Sequence, residues 1–247
     1  MAGELLVRAI FALLVLATVG AFFVAQRLKS GAPAIERVYF QPVVSPNGDG
    51  RKDAVALRFD LPRADRAEVA IVDARGEVAR RLADRALGTG THRFVWDGRR
   101  EGGRRVPDGE YFLRVRLRGQ GRTLQSPRTL TVDTTPPVPR ILAVTPATVY
   151  PGTPGRRGRA RIRYAGPSDP APEFTVFRVV GRTRQARSVG SFFGPRFRQT
   201  ATWDARVAGR PAAPGVYFFG VRAADPAGNV SRRFVAEGER VRVKARP

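Results

Sequence analysis

The sequence of 247 residues contains no cysteine and one histidine, His92. The first absence excludes disulfides, iron–sulfur clusters, thiolate zinc sites and lipid attachment through an N-terminal cysteine. The second removes any histidine-rich metal centre and leaves His92 as the sole candidate base for a serine–histidine–aspartate site. His92 stands beside Phe94 and Trp96 in an expected strand, so its expected role is structural. Lysine is almost missing as well: Lys29, Lys52 and Lys244 are the only three. Lys and Arg nevertheless total 44 against 21 Asp and Glu, a net charge of +23 carried by arginine. Such a surplus invites a nucleic-acid reading through counterion release. Its distribution argues otherwise. Arg58, Arg114, Arg116, Arg161 and Arg163 alternate with apolar residues, as on solvated strand faces, and no recognition motif or aromatic stacking platform accompanies them. Nucleic acid is therefore not the expected partner.

Against these absences stand 26 Gly, 20 Pro and 15 Phe, which imply many turns between short aromatic strands and little helix. The exception is N-terminal. Ala9 to Ala25 form an uncharged run of 17 residues, near the lower limit for a bilayer-spanning helix. Leu5, Leu6 and Val7 extend it beyond Arg8, which can snorkel to the headgroups, so the expected span covers about residues 5–26. Val19 and Ala21 fit a small-residue cleavage pattern, but the run continues through Phe22, Phe23 and Val24, which favours an uncleaved anchor. The expected organisation is an anchor over residues 1–30 and two domains over 31–135 and 136–247.

The two halves resemble each other. FVWDGRREGGRRVPDGEYFLRVRLRGQG from Phe94 aligns with ATWDARVAGRPAAPGVYFFGVRAADPAG from Ala201. Trp96 and Asp97 match Trp203 and Asp204, and Gly109 and Tyr111 match Gly215 and Tyr217. Tryptophan and tyrosine lie 15 and 14 residues apart. The pattern is a strand, a long turn and a returning strand, in which the tryptophans anchor a core and the glycines permit positive φ. After the turn, Tyr111, Leu113, Val115 and Leu117 share one expected face, with Phe112, Arg114, Arg116 and Arg118 on the other. Residues 54–59 and 68–73 likewise match 160–164 and 174–179, followed in each half by a turn glycine, Gly76 or Gly181. The fold expected is all-β: two tandem immunoglobulin-like sandwiches after one transmembrane helix. The proline-rich stretch from Val132 to Pro139 is expected to be a short, semi-rigid joint holding them end to end.

Over residues 36 to 135 the chain resembles the Ig-like module of the flagellar hook-capping protein family. The carriers are Ser45-Pro46-Asn47-Gly48-Asp49-Gly50, Ile71-Val72-Asp73-Ala74-Arg75-Gly76, Trp96-Asp97-Gly98 and Pro107-Asp108-Gly109-Glu110-Tyr111. The second half is a divergent copy, keeping Trp-Asp and Pro-Gly-x-Tyr and adding Ala224-Asp225-Pro226-Ala227-Gly228-Asn229. Nothing resembles the rest of the hook-capping protein, so no flagellar role follows. The resemblance implies an exported accessory module, of a kind that positions or supports another protein or occupies a cell-surface structure, and the fold by itself does not determine which. Arg27, Lys29 and Arg37 behind the apolar run would by themselves retain the bulk of the chain in the cytoplasm. That rule weakens for long translocated domains, so a single-pass membrane protein with its bulk outside the cytoplasm is expected.

One constellation has metal-ligand character. Asn47, Asp49 and Asp53 alternate oxygen donors in a glycine-rich loop, a weak calcium candidate. The bidentate glutamate of an EF-hand is missing, and Arg51 and Lys52 add repulsive charge. An Asx and glycine turn is the expected reading, with no bound metal and no cofactor. Asp97 and Asp204 read as turn residues, and Asp97 with Asp108 does not make a glycosidase pair. The expected function is non-enzymatic: an anchored module that scaffolds or binds an envelope protein. Electrostatic binding of an anionic envelope polymer, either cell-wall polysaccharide or lipid headgroups, is the alternative, and an accessory domain of an envelope hydrolase is a third reading.

Overall fold

The alternation of apolar and charged residues produces strands in both halves. The computed structural model describes residues 2–29, 34–181, 185–236 and 238–245. The first half contains β1 (Glu36–Tyr39), β2 (Val43–Val44), β3 (Val55–Leu61), β4 (Asp65–Asp73), β5 (Val78–Leu87), β6 (Gly90–Trp96), β7 (Gly109–Leu117), β8 (Arg122–Gln125) and β9 (Leu130–Val132). The second contains β10 (Arg140–Thr145), β11 (Thr148–Val149), β12 (Ala160–Ala165), β13 (Glu173–Val180), β14 (Gln185–Phe193), β15 (Thr200–Trp203), β16 (Arg206–Val207), β17 (Arg210–Pro211), β18 (Gly215–Arg222), β19 (Phe234–Val235) and β20 (Val241–Val243).

Each half is a two-sheet sandwich. Sheet β1-β3-β6 faces β2-β9-β7-β4-β5, with β8 added to β7. Sheet β10-β12-β15 faces β11-β20-β18-β13-β14, with β19 added to β18. Period two decides which side chains go inside: Val55, Leu57, Phe59 and Leu61 of β3 are buried, as are Tyr111, Leu113, Val115 and Leu117 of β7. Each fully buried side chain of this size contributes about 1.5–3 kcal/mol relative to exposure. One core gathers residues from Ala34 to Val132, and another gathers residues from Ile141 to Val243. His92 lies on β6, its Nε2 2.8 Å from the Gly88 carbonyl and its ring 5.9 Å from that of Phe59.

Register sets the order of the ends. In the first sandwich Val55 opposes Trp96, Asp73 opposes Tyr111 and Val44 opposes Val132, and the Trp96 and Tyr111 rings lie 5.3 Å apart. These residues share one end, whereas Glu36, where the chain enters, opposes Asp60 towards the other. In the second sandwich Arg140 opposes Ala165 and Glu173 opposes Arg222 at the entry end. Trp203 opposes Ala160 at the far end. The tryptophan end of the first sandwich therefore abuts the entry end of the second.

The N-terminal residues form α1, Ala2–Lys29. Its side chains from Ile10 to Phe22 are exposed, among them Phe11, Leu13, Leu14 and Leu16. Among the described residues no helix is long and apolar enough to cross a membrane. The side chains at both ends of the span expected over residues 5–26, namely 5–9 and 23–26, lie outside the described residues.

Candidate functional site

The Trp-Asp motif builds the same corner twice. Trp96 and Trp203 are buried, and each indole Nε1 donates to a carbonyl three residues on, Arg99 or Arg206, at 2.9 Å. Asp97 and Asp204 each accept the N–H of that arginine through Oδ1 at 3.1 Å. The guanidinium then folds back, so that Arg99 Nη1 donates to the Gly103 carbonyl and Arg206 Nη1 to that of Gly209, both at 2.8 Å. The tyrosine hydroxyls close the returning strand: Tyr111 donates to the Pro107 carbonyl at 2.9 Å and Tyr217 to that of Ala213 at 2.8 Å. Burial raises the pKa of both phenols, which therefore remain donors. Gly109 and Gly215 begin β7 and β18 with φ of 152° and 158°. The arginines are the members that sequence reasoning missed, although Trp-Asp-Gly-Arg and Trp-Asp-Ala-Arg share them.

The Asn47–Asp53 loop uses its oxygens internally. Asp53 accepts the N–H groups of Gly48 and Gly50 at 2.6 and 2.7 Å. Asn47 Oδ1 accepts the Asp49 N–H at 2.9 Å, and Asp49 Oδ1 accepts the Arg51 N–H at 2.8 Å. These are Asx turns, in which short polar side chains replace backbone partners. Pro46 packs on the Trp-Asp corner: a Cβ at Gly98, whose φ is +69°, would meet Pro46 Cγ at 2.4 Å. Only glycine fits there.

This loop also meets the second sandwich. Asn229, fully buried, accepts from Ser45 Oγ at 2.5 Å and Asn47 Nδ2 at 3.1 Å. Its own amide donates to the Asp133 carbonyl at 2.9 Å and to Asp225 Oδ2 at 3.0 Å. Those four bonds use both lone pairs and both N–H groups of the side chain. Lys52 Nζ donates to the Pro226 carbonyl at 2.6 Å. The linker is tied down from below, since Asp108 accepts the Thr134 N–H at 3.0 Å and the Thr134 and Thr135 hydroxyls at 2.9 Å. Partial burial raises the Asp108 pKa, but those three bonds outweigh it and hold the carboxyl below its ordinary range. Two motifs that appear separate in the sequence thus interlock at a polar joint.

Among the described residues no three His, Asp or Glu side chains are grouped to hold a metal ion. Because the loop commits its oxygens to its own N–H groups and carries Arg51 and Lys52, calcium is expected to leave the melting temperature unchanged. A ligand binding only the native state at 100 times its dissociation constant would add about 2.7 kcal/mol, a shift of several degrees that calorimetry would register. Asp53→Ala, by removing two hydrogen bonds from an exposed turn, should lower stability by about 0.5–1.5 kcal/mol with or without calcium. A calcium-dependent shift abolished by Asp49→Ala would overturn this reading of the loop.

The FlgD Ig-like domain model matches residues 44–121, from β2 to the β7–β8 turn. No curated protein matches the chain. Among solved structures, FlgD from P. aeruginosa is 22% identical, covers 40% of this chain and 75% of its own, and has a TM-score of 0.28. A biofilm associated protein, BSP domain, is 12% identical over 86% of this chain, with a TM-score of 0.28, and the match spans 30% of that protein. Dimeric latent PorU from Porphyromonas gingivalis is 14% identical over 86% of this chain and 20% of its own, with a TM-score of 0.29. Likenesses at these scores add nothing to the architecture described above. The segment 44–121, with its Trp-Asp corner, is similar to the FlgD Ig-like domain.

Proposed function

We propose that the chain is a membrane-anchored, extracytoplasmic structural module that scaffolds or binds an envelope protein. Residues 1–30 act as the anchor, and the sandwiches at 31–135 and 136–247 form the rod it carries. The joint is the observation that supports this most: a fully satisfied buried amide holds the two sandwiches in one geometry. Two domains on a mere tether need no such lock, whereas a strut that presents a partner at a set distance does. The aspartates of both corners and of the joint accept backbone N–H groups, which suits a scaffold better than acid–base chemistry. The uncharged run from Ala9 to Ala25 supports anchoring.

Topology supplies the test. Protease added to spheroplasts is expected to digest the chain beyond about residue 30 and leave a short apolar fragment protected, as a membrane-spanning segment requires. Protection of the entire chain would place the rod in the cytoplasm and sink the proposal.

A further inference from the structure

The far end of the second sandwich is strongly basic. On the outer face of β12 and β15, Arg161 sits between Thr145 and Thr202 in one row across three strands. With Arg156 and Arg159 these residues line a depression of about 510 Å³. Across the Thr145–Thr148 turn lies a second depression of about 340 Å³, lined by Thr148, Arg240, Arg242 and Lys244. No carboxylate lines either one. Arg156, Arg159, Arg161, Arg242 and Lys244 pair with no described acid. Two carboxylates at this end are engaged otherwise, Asp204 with Arg206 and Glu239 with the Val144 N–H.

The repeat gives this surface meaning. The Tyr150 N–H donates to the Arg157 carbonyl as the Ser45 N–H does to that of Lys52, so the Tyr150–Arg157 loop occupies the position of the joint loop. In the first sandwich that position carries Asp49 and Asp53 beside Arg51 and Lys52, and binds a neighbouring domain through Ser45, Asn47 and Lys52. In the second it carries Arg156 and Arg157, exposed. We propose that the arginine-lined tip of the second sandwich binds an acidic polysaccharide. Arginine forks grip its carboxylates and threonine hydroxyls bond its sugar hydroxyls.

Two observations favour a glycan over other polyanions. Neither depression is lined by an aromatic ring, which single-stranded nucleic acid needs for stacking, nor by an exposed large apolar side chain for insertion among lipids. The tip also lies at the opposite end of the rod from Glu36, where the chain enters the first sandwich. A nine-residue strand is about 30 Å long, so two sandwiches in line separate tip and entry by roughly 60 Å. That is far beyond the ~8–10 Å over which salt leaves a membrane's charge perceptible.

This assignment rests on the extracytoplasmic reading only for the natural source of the polymer; binding in solution is independent of topology, so the two can fail separately. The test titrates the full chain, in detergent micelles, with polygalacturonate. R156Q/R159Q/R161Q is expected to weaken binding roughly 30-fold, whereas R58Q/R93Q/R116Q, an equal loss of exposed charge on the first sandwich, weakens it less than about threefold. R156K/R159K/R161K should recover only part, because charge returns without the fork. Equal losses in both glutamine variants would overturn the site. Tighter tip-dependent binding of phosphatidylglycerol vesicles or of a single-stranded oligonucleotide would overturn the glycan. In the unsubstituted protein the polymer should shield Arg156, Arg159 and Arg161 from phenylglyoxal, read by mass spectrometry; equal modification with and without it refutes the proposal whatever the variants do.

Discussion

Replacing Trp96 or Trp203 by alanine is expected to cost about 3–5 kcal/mol in the sandwich that contains it, among the large-to-small substitutions that cost a core most. Each indole is buried against a tyrosine at a ring separation of 5.3 Å, and Trp203 also meets Phe219 edge-on at 5.4 Å. Truncation removes that packing and also orphans the carbonyl that accepts the indole N–H. Chemical denaturation followed by circular dichroism reads the cost, and the remaining tryptophan, which lies in the other sandwich, shows whether that one unfolds separately. The paired substitutions should behave alike, because the two corners share every bond described above. A loss below about 1 kcal/mol at either position would show that the corner is not what holds that sandwich together.

The second large effect falls on the joint. Asn229→Ala deletes four hydrogen bonds and leaves Ser45, Asp225 and the Asp133 carbonyl without that partner in a buried setting, at about 1–3 kcal/mol for each group that water cannot reach. Both cores lie elsewhere, so the sandwiches should stay folded while their coupling is lost. Scattering in solution should then report a broader distribution of lengths, and calorimetry should resolve two transitions in place of a coupled one. Unchanged scattering from the variant would mean that the linker alone fixes the geometry.

Much of the architecture was legible because β structure writes its inside and outside in alternate residues. The face expected from Tyr111 to Leu117 is the buried face of β7, and the match of Trp96 with Trp203 identified the corners. Other features depend on distance along the chain. Ser45 and Asn229 are 184 residues apart, and each stands in a polar, glycine-bearing turn that reads as solvated surface. That an amide at such a turn becomes fully buried is decided by where the linker delivers the second sandwich, which no local pattern encodes. Lys52 shows the same limit: its charge counts against calcium in the sequence, and in the structure its ammonium spans the joint. The basic tip was hidden by the dispersion of arginine, since alternation along β12 resembles any solvated face until the row of Thr145, Arg161 and Thr202 is assembled across three strands.

The short parallel pairings carry a mechanical meaning. β2 runs alongside β9 through bonds from Thr131 N to the Pro42 carbonyl at 2.7 Å and from Asp133 N to that of Val44 at 3.1 Å. β11 and β20 repeat the arrangement, with Arg242 N on Ala147 at 2.8 Å and Lys244 N on Val149 at 3.1 Å. Tension between the N-terminal helix and Lys244, just beyond β20, draws the paired strands in opposite directions along their own axes. Both bonds of a patch are then loaded in shear and must rupture together, whereas a hairpin peeled from its open end releases its bonds one at a time. Two such clamps in series make the rod stiffest along the line on which a tethered strut is pulled.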